Sequence, residues 1–186
     1  MLKIYHTKLN VVLFLFLVFQ FLTINIFAQQ PTLTWLGTLG GDRSAALGVS
    51  DDGSVVVGRS NNGSGSYHAF IWTAANGMKD LGTLGGNESE ATGISSDGSV
   101  IVGWSYDSSS IFRAFKWTVA DSMKDFGAGE WSKASGVSAD GSVITVNSNG
   151  VAYRWTLSGG LVNLGNLGGT STGASAVSAN GSVIVG

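Results

Sequence analysis

Two kinds of hydrophobic stretch alternate along the chain and predict two kinds of strand. Stretches of the first kind are apolar without alternation, which indicates strands buried on both faces: SVVVG at 54–58, SVIVG at 99–103 and SVITV at 142–146. Stretches of the second kind combine aromatic and polar positions: HAFIWT at 68–73, RAFKWT at 113–118 and VAYRWT at 151–156. Glycine, aspartate and asparagine separate the stretches, as in tight turns. The pattern predicts an all-β chain.

These stretches belong to a unit that repeats. A turn motif of the form SxDGSV precedes each stretch of the first kind, as SDDGSV at 50–55 and SSDGSV at 95–100 show. A closing segment, GMKDLGTLGG at 77–86 in its first copy, follows each aromatic stretch. We therefore predict this organisation: an orphan strand at 29–41, repeat 1 at 42–86, repeat 2 at 87–131, repeat 3 at 132–169 and a truncated repeat 4 at 170–186.

Each repeat is predicted to form four antiparallel strands. Asp52-Gly53 is predicted to form a type I′ hairpin turn, which needs positive φ at both residues. Four short strands per unit match the blade of a β-propeller, while an open β-solenoid or a β-sandwich array is the alternative architecture. A closed propeller needs roughly four to eight blades. Three full repeats therefore predict an incomplete propeller, a fragment of a longer chain.

The first 28 residues have the pattern of a secretory signal peptide. Lys3 and Lys8 precede the apolar run VVLFLFLVFQFL at 11–22, and TINIFA ends at Ala28. An uncleaved membrane anchor is the alternative, because the apolar run approaches the length that spans a bilayer. With the signal cleaved, no membrane span is expected, and the product is predicted to be secreted or bound to the cell surface.

Composition excludes one class of partner. The net charge is −2, and removal of the predicted signal peptide with its two lysines makes it more negative. The remaining cations are scattered singly, so no basic patch for nucleic acid is expected. The chain has no cysteine, so we expect packing or bound ions, and no disulfide, to stabilise it.

Once these motifs are set out, the sequence resembles the extracellular HAF-repeat family, named for the tripeptide that stands here as His68-Ala69-Phe70. The resemblance covers most of the chain after the predicted signal peptide. Arg113 and Val151 replace the histidine in the next repeats, and FGAGEW at 126–131 replaces LGTLGG. The resemblance implies a secreted or surface-exposed bacterial β-repeat protein, without a settled molecular activity.

Catalytic, metal and cofactor sites are not predicted. LGTLGG at 36–41 recurs and lacks the helix that a phosphate-binding loop needs, so it is interpreted as a turn. The turn aspartates are interpreted as hydrogen-bond acceptors instead of calcium ligands, and His68 as a partly exposed strand residue. Three glutamates have no assigned place: Glu88, Glu90 and Glu130.

Four aromatic residues break the repeat and form the candidate ligand-binding set, where a sugar ring or a protein partner could stack: Tyr67, Trp104, Tyr106 and Trp131. The aromatic residues at fixed repeat positions, such as Trp72 and Trp117, are predicted to lie in the core between blades. The predicted function is a non-catalytic binding or scaffolding module for an extracellular glycan or protein. An extracellular glycan-active enzyme and a self-associating structural surface repeat remain the alternatives.

Overall fold

A computed structural model describes residues 33–166 and 168–186 of the chain. The predicted signal peptide at 1–28 lies outside the described residues, as do residues 29–32 of the predicted orphan strand. Every regular element in the described part is a β-strand, which confirms the all-β prediction. Those residues also include no helix with the length and hydropathy needed to cross a bilayer.

Fourteen strands occur in the described part of the chain. They are β1 (Gly40–Val49), β2 (Val55–Asn62), β3 (Tyr67–Thr73), β4 (Gly77–Asp80), β5 (Gly85–Ile94), β6 (Ile101–Asp107), β7 (Phe112–Thr118), β8 (Ser122–Asp125), β9 (Ser132–Val137), β10 (Val143–Ser148), β11 (Val151–Thr156), β12 (Gly160–Asn163), β13 (Ala176–Val177) and β14 (Ile184–Val185).

The first twelve strands form three sheets of the same kind. Sheet 1 has the order β1-β2-β3-β4, sheet 2 the order β5-β6-β7-β8 and sheet 3 the order β9-β10-β11-β12, and all neighbours are antiparallel. Strands β13 and β14 pair with each other. Residues 33–38 of the predicted orphan strand at 29–41 form no strand, and Gly40 and Gly41 already belong to β1.

The sheets stack on one another in chain order. The first strand of each sheet contacts the first strand of the next, from β1 to β5, from β5 to β9 and from β9 to β13. Strand β5 also packs on β2 and β3, and β9 packs on β6 and β7. The first strand of sheet 2 and that of sheet 3 therefore each pack across the first three strands of the sheet before.

The hydrophobic core lies between consecutive sheets. One cluster, between sheets 1 and 2, includes the fully buried residues Val57, Ile101 and Phe115. The next, between sheets 2 and 3, includes Val102 and Ile144. Neighbouring residues of β6 thus enter different clusters, and the apolar stretches of β6 and β10 are buried on both faces as predicted. In β2 of sheet 1, Val55 and Val56 are only half-buried. The repeated tryptophans of sheets 2 and 3 pack on successive clusters in the same way: Trp117 on the first and Trp155 in the second.

The SxDGSV motif closes the first hairpin of each sheet. Only Gly53 has positive φ (72°) in the first copy, so the predicted type I′ turn at Asp52-Gly53 is wrong. The backbone N–H of Gly53 instead donates to the carbonyl of Ser50 at 2.9 Å. Because Val49 pairs with Val56 and the N–H of Ser50 donates to the carbonyl of Val55 at 2.9 Å, the hairpin loop has four residues, 51–54, and such loops are most often built around a type I turn. The two-residue turn with positive φ at both positions occurs elsewhere, at Asn149 (51°) and Gly150 (76°) between β10 and β11.

Each polar side chain of the motif has a defined role in this turn. The Ser138 hydroxyl donates to Oδ1 of Asp140 at 2.6 Å and accepts the backbone N–H of Val143 at 2.9 Å. The same Oδ1 accepts the backbone N–H of Ser142 at 3.0 Å. These donors, with the Ser138 hydroxyl first, lower the pKa of Asp140 to about 2. The same contacts recur around three equivalent side chains: Asp52, Asp97 and Asn180.

The turns also link one sheet to the next through the backbone. The N–H of Asp51 donates to the carbonyl of Ser96 at 3.0 Å, and the N–H of Ser96 donates to Ala139 at 2.9 Å. The N–H of Ala139 continues the series to Ala179 at 2.9 Å. All four residues occupy the variable position of the S-x-D-G or S-x-N-G turn, so the motif fixes both the hairpin and the stacking of the sheets.

Candidate functional site

Three of the four predicted ligand-binding aromatics lie in one cluster. The ring centroid of Trp104 lies 5.6 Å from that of Tyr106 and 6.0 Å from that of Phe112. Trp131 packs on the other side of Phe112 at 5.1 Å. All of these contacts are edge-to-face, the favoured geometry for aromatic pairs. Phe112, which was not predicted, therefore joins Trp131 to the other two rings.

Tyr67, the fourth predicted residue, does not contact that cluster through its ring. The guanidinium of Arg59 lies over the Tyr67 ring, 4.9 Å from the centroid. Arg59 donates from Nη1 to Oε2 of Glu90 at 2.9 Å. Tyr67 therefore supports the cluster indirectly, because it helps to hold a cation that contacts the carboxylate beside Trp104.

Glu90 connects the charged and aromatic parts of the site. It lies on β5, directly opposite Trp104 of β6, and its side chain is only 10 % exposed. Its Oε1 accepts the indole N–H of Trp104 at 3.2 Å and an N–H of Lys133 at 3.3 Å. With Arg59 on Oε2, both carboxylate oxygens are engaged, as a nearly buried charge requires.

These residues surround an open pocket of about 370 Å³. Its lining is Arg59, Glu90, Trp104, Tyr106, Phe112 and Lys133. Sheet 1 contributes Arg59, sheet 3 contributes Lys133 and sheet 2 contributes the remainder. The volume falls within the usual range for small-molecule sites, and an apolar wall with a few convergent polar groups is typical of them. We call this the Glu90 pocket.

The pocket arises where equivalent positions of the repeat carry different residues. Arg59 and Trp104 each follow the glycine that ends the apolar stretch, and Glu90 and Lys133 each begin the segment before the SxDGSV turn. Ala45 stands at this second position in sheet 1 and pairs with Arg59. The sequence reasoning missed Arg59, Phe112 and Lys133 and left Glu90 unplaced. For Arg59, Lys133 and Glu90, the signal that was available is this change of chemical type at fixed repeat positions.

Trp131 has an unusual backbone beside the pocket. Its φ is 52°, in the left-handed region, and its side chain remains 47 % exposed. A bulky residue rarely adopts this conformation, which glycine adopts freely. Strained residues of this kind cluster at functional sites. The tight linker between β8 and β9 thus presents an indole on Phe112 at an energetic cost.

His68, the first residue of the HAF tripeptide, and its equivalent Arg113 each contact an acidic side chain of their own sheet. His68 Nδ1 lies 2.7 Å from Oδ2 of Asp80 on the neighbouring strand. Its equivalent Arg113 donates from Nε to Oδ2 of Asp107 at 2.6 Å, and this contact lowers the pKa of Asp107. Arg113 therefore braces the turn between β6 and β7. His68 also contacts the end of β2, where its Nε2 lies 3.3 Å from Nδ2 of Asn62, consistent with the interpretation of His68 as a strand residue.

The three unplaced glutamates do not form one group in the site. Glu90 lines the pocket. The carboxylate of Glu130 is 58 % exposed and lies 3.8 Å from Nη2 of Arg113. Glu88 is half-buried, and its backbone carbonyl accepts the Ser105 hydroxyl at 3.2 Å. Neither Glu88 nor Glu130 belongs to the pocket lining.

Comparison with known proteins bears on the fold. No protein-family model and no curated protein matches the sequence. Solved structures do match, and two of them cover most of the chain at low sequence identity. TolB from Acinetobacter baumannii is 15 % identical with a TM-score of 0.57, over 75 % of this chain and 36 % of its own. A putative TolB from Agrobacterium tumefaciens is 14 % identical with a TM-score of 0.50, over 68 % of this chain and 47 % of its own.

These neighbours are β-propellers, and together with the stacked four-stranded sheets they show that this chain has a partial propeller-like fold. The chain spans less than half the length of either neighbour.

Proposed function

We propose that the protein is a non-catalytic binding module whose ligand occupies the Glu90 pocket. The observation that carries the proposal is the origin of the lining: residues from three successive sheets, at positions where the repeats differ, converge on one open pocket. If these positions only supported the fold, the same residue would suffice at each of them in every repeat. Ligand pockets in repeat folds are built on such an exposed surface, where residues can vary without loss of the core.

The energetic arrangement of the pocket supports this proposal. Glu90 is nearly buried and needs two cations from other sheets to compensate its charge. Buried ion pairs contribute little to stability compared with apolar packing. Trp131 adds backbone strain at the same place. Such costs are expected where residues are retained for binding and not for stability.

We further propose that the module acts outside the cell, as a HAF-repeat type protein. The support is the signal-peptide pattern at 1–28 and the motifs at 68–73 and 77–86 that resemble the family. These features indicate where the protein acts and how it folds. The class of ligand is therefore inferred from the chemistry of the pocket alone.

The arrangement of carboxylates favours binding over glycan hydrolysis. Glycosidases use two carboxyl groups on either side of the scissile bond. Glu90 is the one carboxylate in the lining of the pocket, and its two oxygens already accept hydrogen bonds from Arg59, Lys133 and Trp104. We therefore assign Glu90 the role of holding the surrounding cations and the indole in place.

Capture of extracellular glycans and proteins tests the proposal. The full chain is applied to arrays of both, beside the variants Trp104→Ala and Trp131→Ala. Leu157→Ala is the matched control, because Leu157 is an 86 % exposed apolar residue outside the Glu90 pocket. We expect both tryptophan variants to lose capture, while the control retains it.

Three results would contradict the proposal. Capture that survives both tryptophan substitutions would place the binding surface elsewhere. Concentration-dependent self-association of the wild type in sedimentation, without capture of any ligand, would instead support the structural surface repeat. Cleavage of an arrayed glycan that Glu88, Glu90 and Glu130 substitutions abolish would support the enzyme.

A further inference from the structure

We infer that the Glu90 pocket takes an acidic sugar, a pyranose ring that carries a carboxylate group. The inference rests on the proposed binding function, since it names the ligand class of the same pocket. Two properties of the pocket carry it: an excess of cationic hydrogen-bond donors, and a wall of aromatic rings set at steep angles to one another.

The donors exceed what Glu90 can use. Within the described contacts, Arg59 directs only Nη1 at Glu90, and Lys133 makes one contact with it. A guanidinium and an ammonium each carry further N–H groups, and these two side chains are 43 % and 45 % exposed. Two cations beside one carboxylate leave the pocket positive, on a chain whose net charge is −2. A ligand with a negative charge would balance the site.

Arg59 is already held in position for such a ligand. The Tyr67 ring lies beneath its guanidinium, and Glu90 binds one end of it. The planar guanidinium matches a carboxylate through two parallel hydrogen bonds. A side chain that is fixed before binding loses little further conformational entropy. Recognition of a carboxylate therefore follows from the geometry around Arg59.

The aromatic wall selects for a ring. Trp104, Tyr106 and Phe112 line the same pocket. The planes of Trp104 and Tyr106 are inclined by 87°, and those of Trp104 and Phe112 by 67°. A pyranose presents C–H groups on its faces and oxygen atoms at its edge. One face can lie on the aromatic wall while the edge oxygens point to Arg59 and Lys133, which is the mixture of apolar and polar contact typical of ligand sites.

A peptide carboxylate fits the pocket less well. Peptides commonly bind as an added strand at a free sheet edge, or through a nest of backbone N–H groups. Arg59 and Trp104 lie on β2 and β6, which are paired with strands on both sides. The walls they form thus present side chains and no unpaired strand edge. The surplus donors belong to side chains as well, which favours the acidic sugar.

Calorimetric titration of the full chain with three probes tests the inference. The probes are methyl β-D-glucuronide, the neutral methyl β-D-glucoside, and an N-acetylated tri-alanine with a free carboxyl terminus. We expect the glucuronide to bind roughly tenfold or more tightly than the glucoside, as one charge-assisted hydrogen bond provides. The indole N–H resonance of Trp104, hydrogen-bonded to Glu90, should shift on binding.

A pair of lysine variants locates the effect. Lys133→Gln removes one cation of the pocket, and Lys124→Gln removes a cation that pairs with Asp121 on an exposed surface. We expect Lys133→Gln to weaken glucuronide binding much more than glucoside binding, and so to remove most of the preference for glucuronide. Lys124→Gln should leave both affinities unchanged, and far-ultraviolet circular dichroism verifies that each variant is folded.

Three results would overturn the inference. Equal affinity for glucuronide and glucoside, lost in Trp104→Ala, would mean a neutral glycan, and the binding function would stand. Binding of the tripeptide alone would mean a protein ligand, and the binding function would again stand. Failure of all three probes to bind or to shift the Trp104 resonance would exclude the acidic sugar, and the capture experiment above would then decide the binding function by itself.

Discussion

The two ends of each sheet differ in how closely the repeats agree. At one end, the SxDGSV turns make the same hydrogen bonds in sheet after sheet, with Asn180 substituting for aspartate in the last copy. At the other end, around the hairpins between second and third strands, the residues that face the Glu90 pocket change from repeat to repeat. Sheet 3 even shortens this hairpin to two residues, Asn149 and Gly150. Repetition therefore marks the framework, and divergence marks the surface available for recognition.

The largest expected difference in stability is between substitutions of two phenylalanines on the same strand, β7. Phe115 is fully buried between sheets 1 and 2, so Phe115→Ala should lower the free energy of unfolding by about 3–5 kcal/mol. Phe112 is half-buried in the pocket, and Phe112→Ala should cost about 1 kcal/mol while it weakens ligand capture. Urea unfolding measures both. Similar losses of stability would remove the distinction between framework and pocket.

The next effect concerns a fully buried turn serine. In Ser138→Ala, the backbone N–H of Val143 loses its acceptor, so we expect a loss of about 1–3 kcal/mol in the free energy of unfolding. Ser142→Ala is the control, because its hydroxyl makes an exposed contact with the same aspartate and should change stability by less than about 0.5 kcal/mol. Equal effects would mean that burial of the hydroxyl does not matter.

The next effect is a smaller one, a gain in stability, and it concerns one residue that departs from the repeat within the framework. Ser122 has φ of 56°, where the equivalent residues are Gly77 (65°) and Gly160 (62°). Because left-handed backbone disfavours residues with a Cβ atom, Ser122→Gly should raise the free energy of unfolding by about 1 kcal/mol. Gly77→Ser should lower it by a similar amount. A destabilised Ser122→Gly variant would show that the Ser122 side chain stabilises the fold by more than its left-handed backbone costs.

The smallest effect should be the pH dependence of the turn aspartates, because they are exposed to solvent. The folded protein lowers the pKa of Asp140 from 3.8 to about 2, so it favours the ionised form. Its contribution to stability is present above about pH 4 and is lost as the pH falls toward about 2. Asp140→Asn should therefore show a flatter dependence of the urea midpoint between these values. Asp51→Asn, beside the first turn aspartate, serves as the control, and an unchanged profile in Asp140→Asn would contradict the assignment.

Sequence alone sufficed for the features that repeat. The buried stretches such as SVIVG, the aromatic strands and the hairpin positions all recur, so each copy supports the interpretation of the others. The turn type was wrong because Asp-Gly occurs in two kinds of hairpin loop, and local sequence does not separate them when the loop length is unknown.

The pocket could be predicted only in part, because its members are distant in sequence. Trp104 and Tyr106 are two residues apart on one strand and stood out as departures from the repeat. Arg59 and Lys133 lie 31 and 43 residues from Glu90 and reach it only through the stacking of the sheets. Phe112 was missed because a hydrophobic residue beside a hairpin has no distinctive pattern in a single sequence.

The hydrogen bonds from Asp51 to Ser96, and onward to Ala139 and Ala179, always run in one direction. Every turn donates an N–H group to its successor and offers a carbonyl acceptor to its predecessor. If one unit were removed between equivalent positions, the two turns on either side of it could form the same hydrogen bond with each other. A duplicated unit would likewise form the hydrogen bonds that the existing units form. The gene can therefore change in whole units by recombination, and each added copy would bring a fresh set of recognition positions on an already compatible framework.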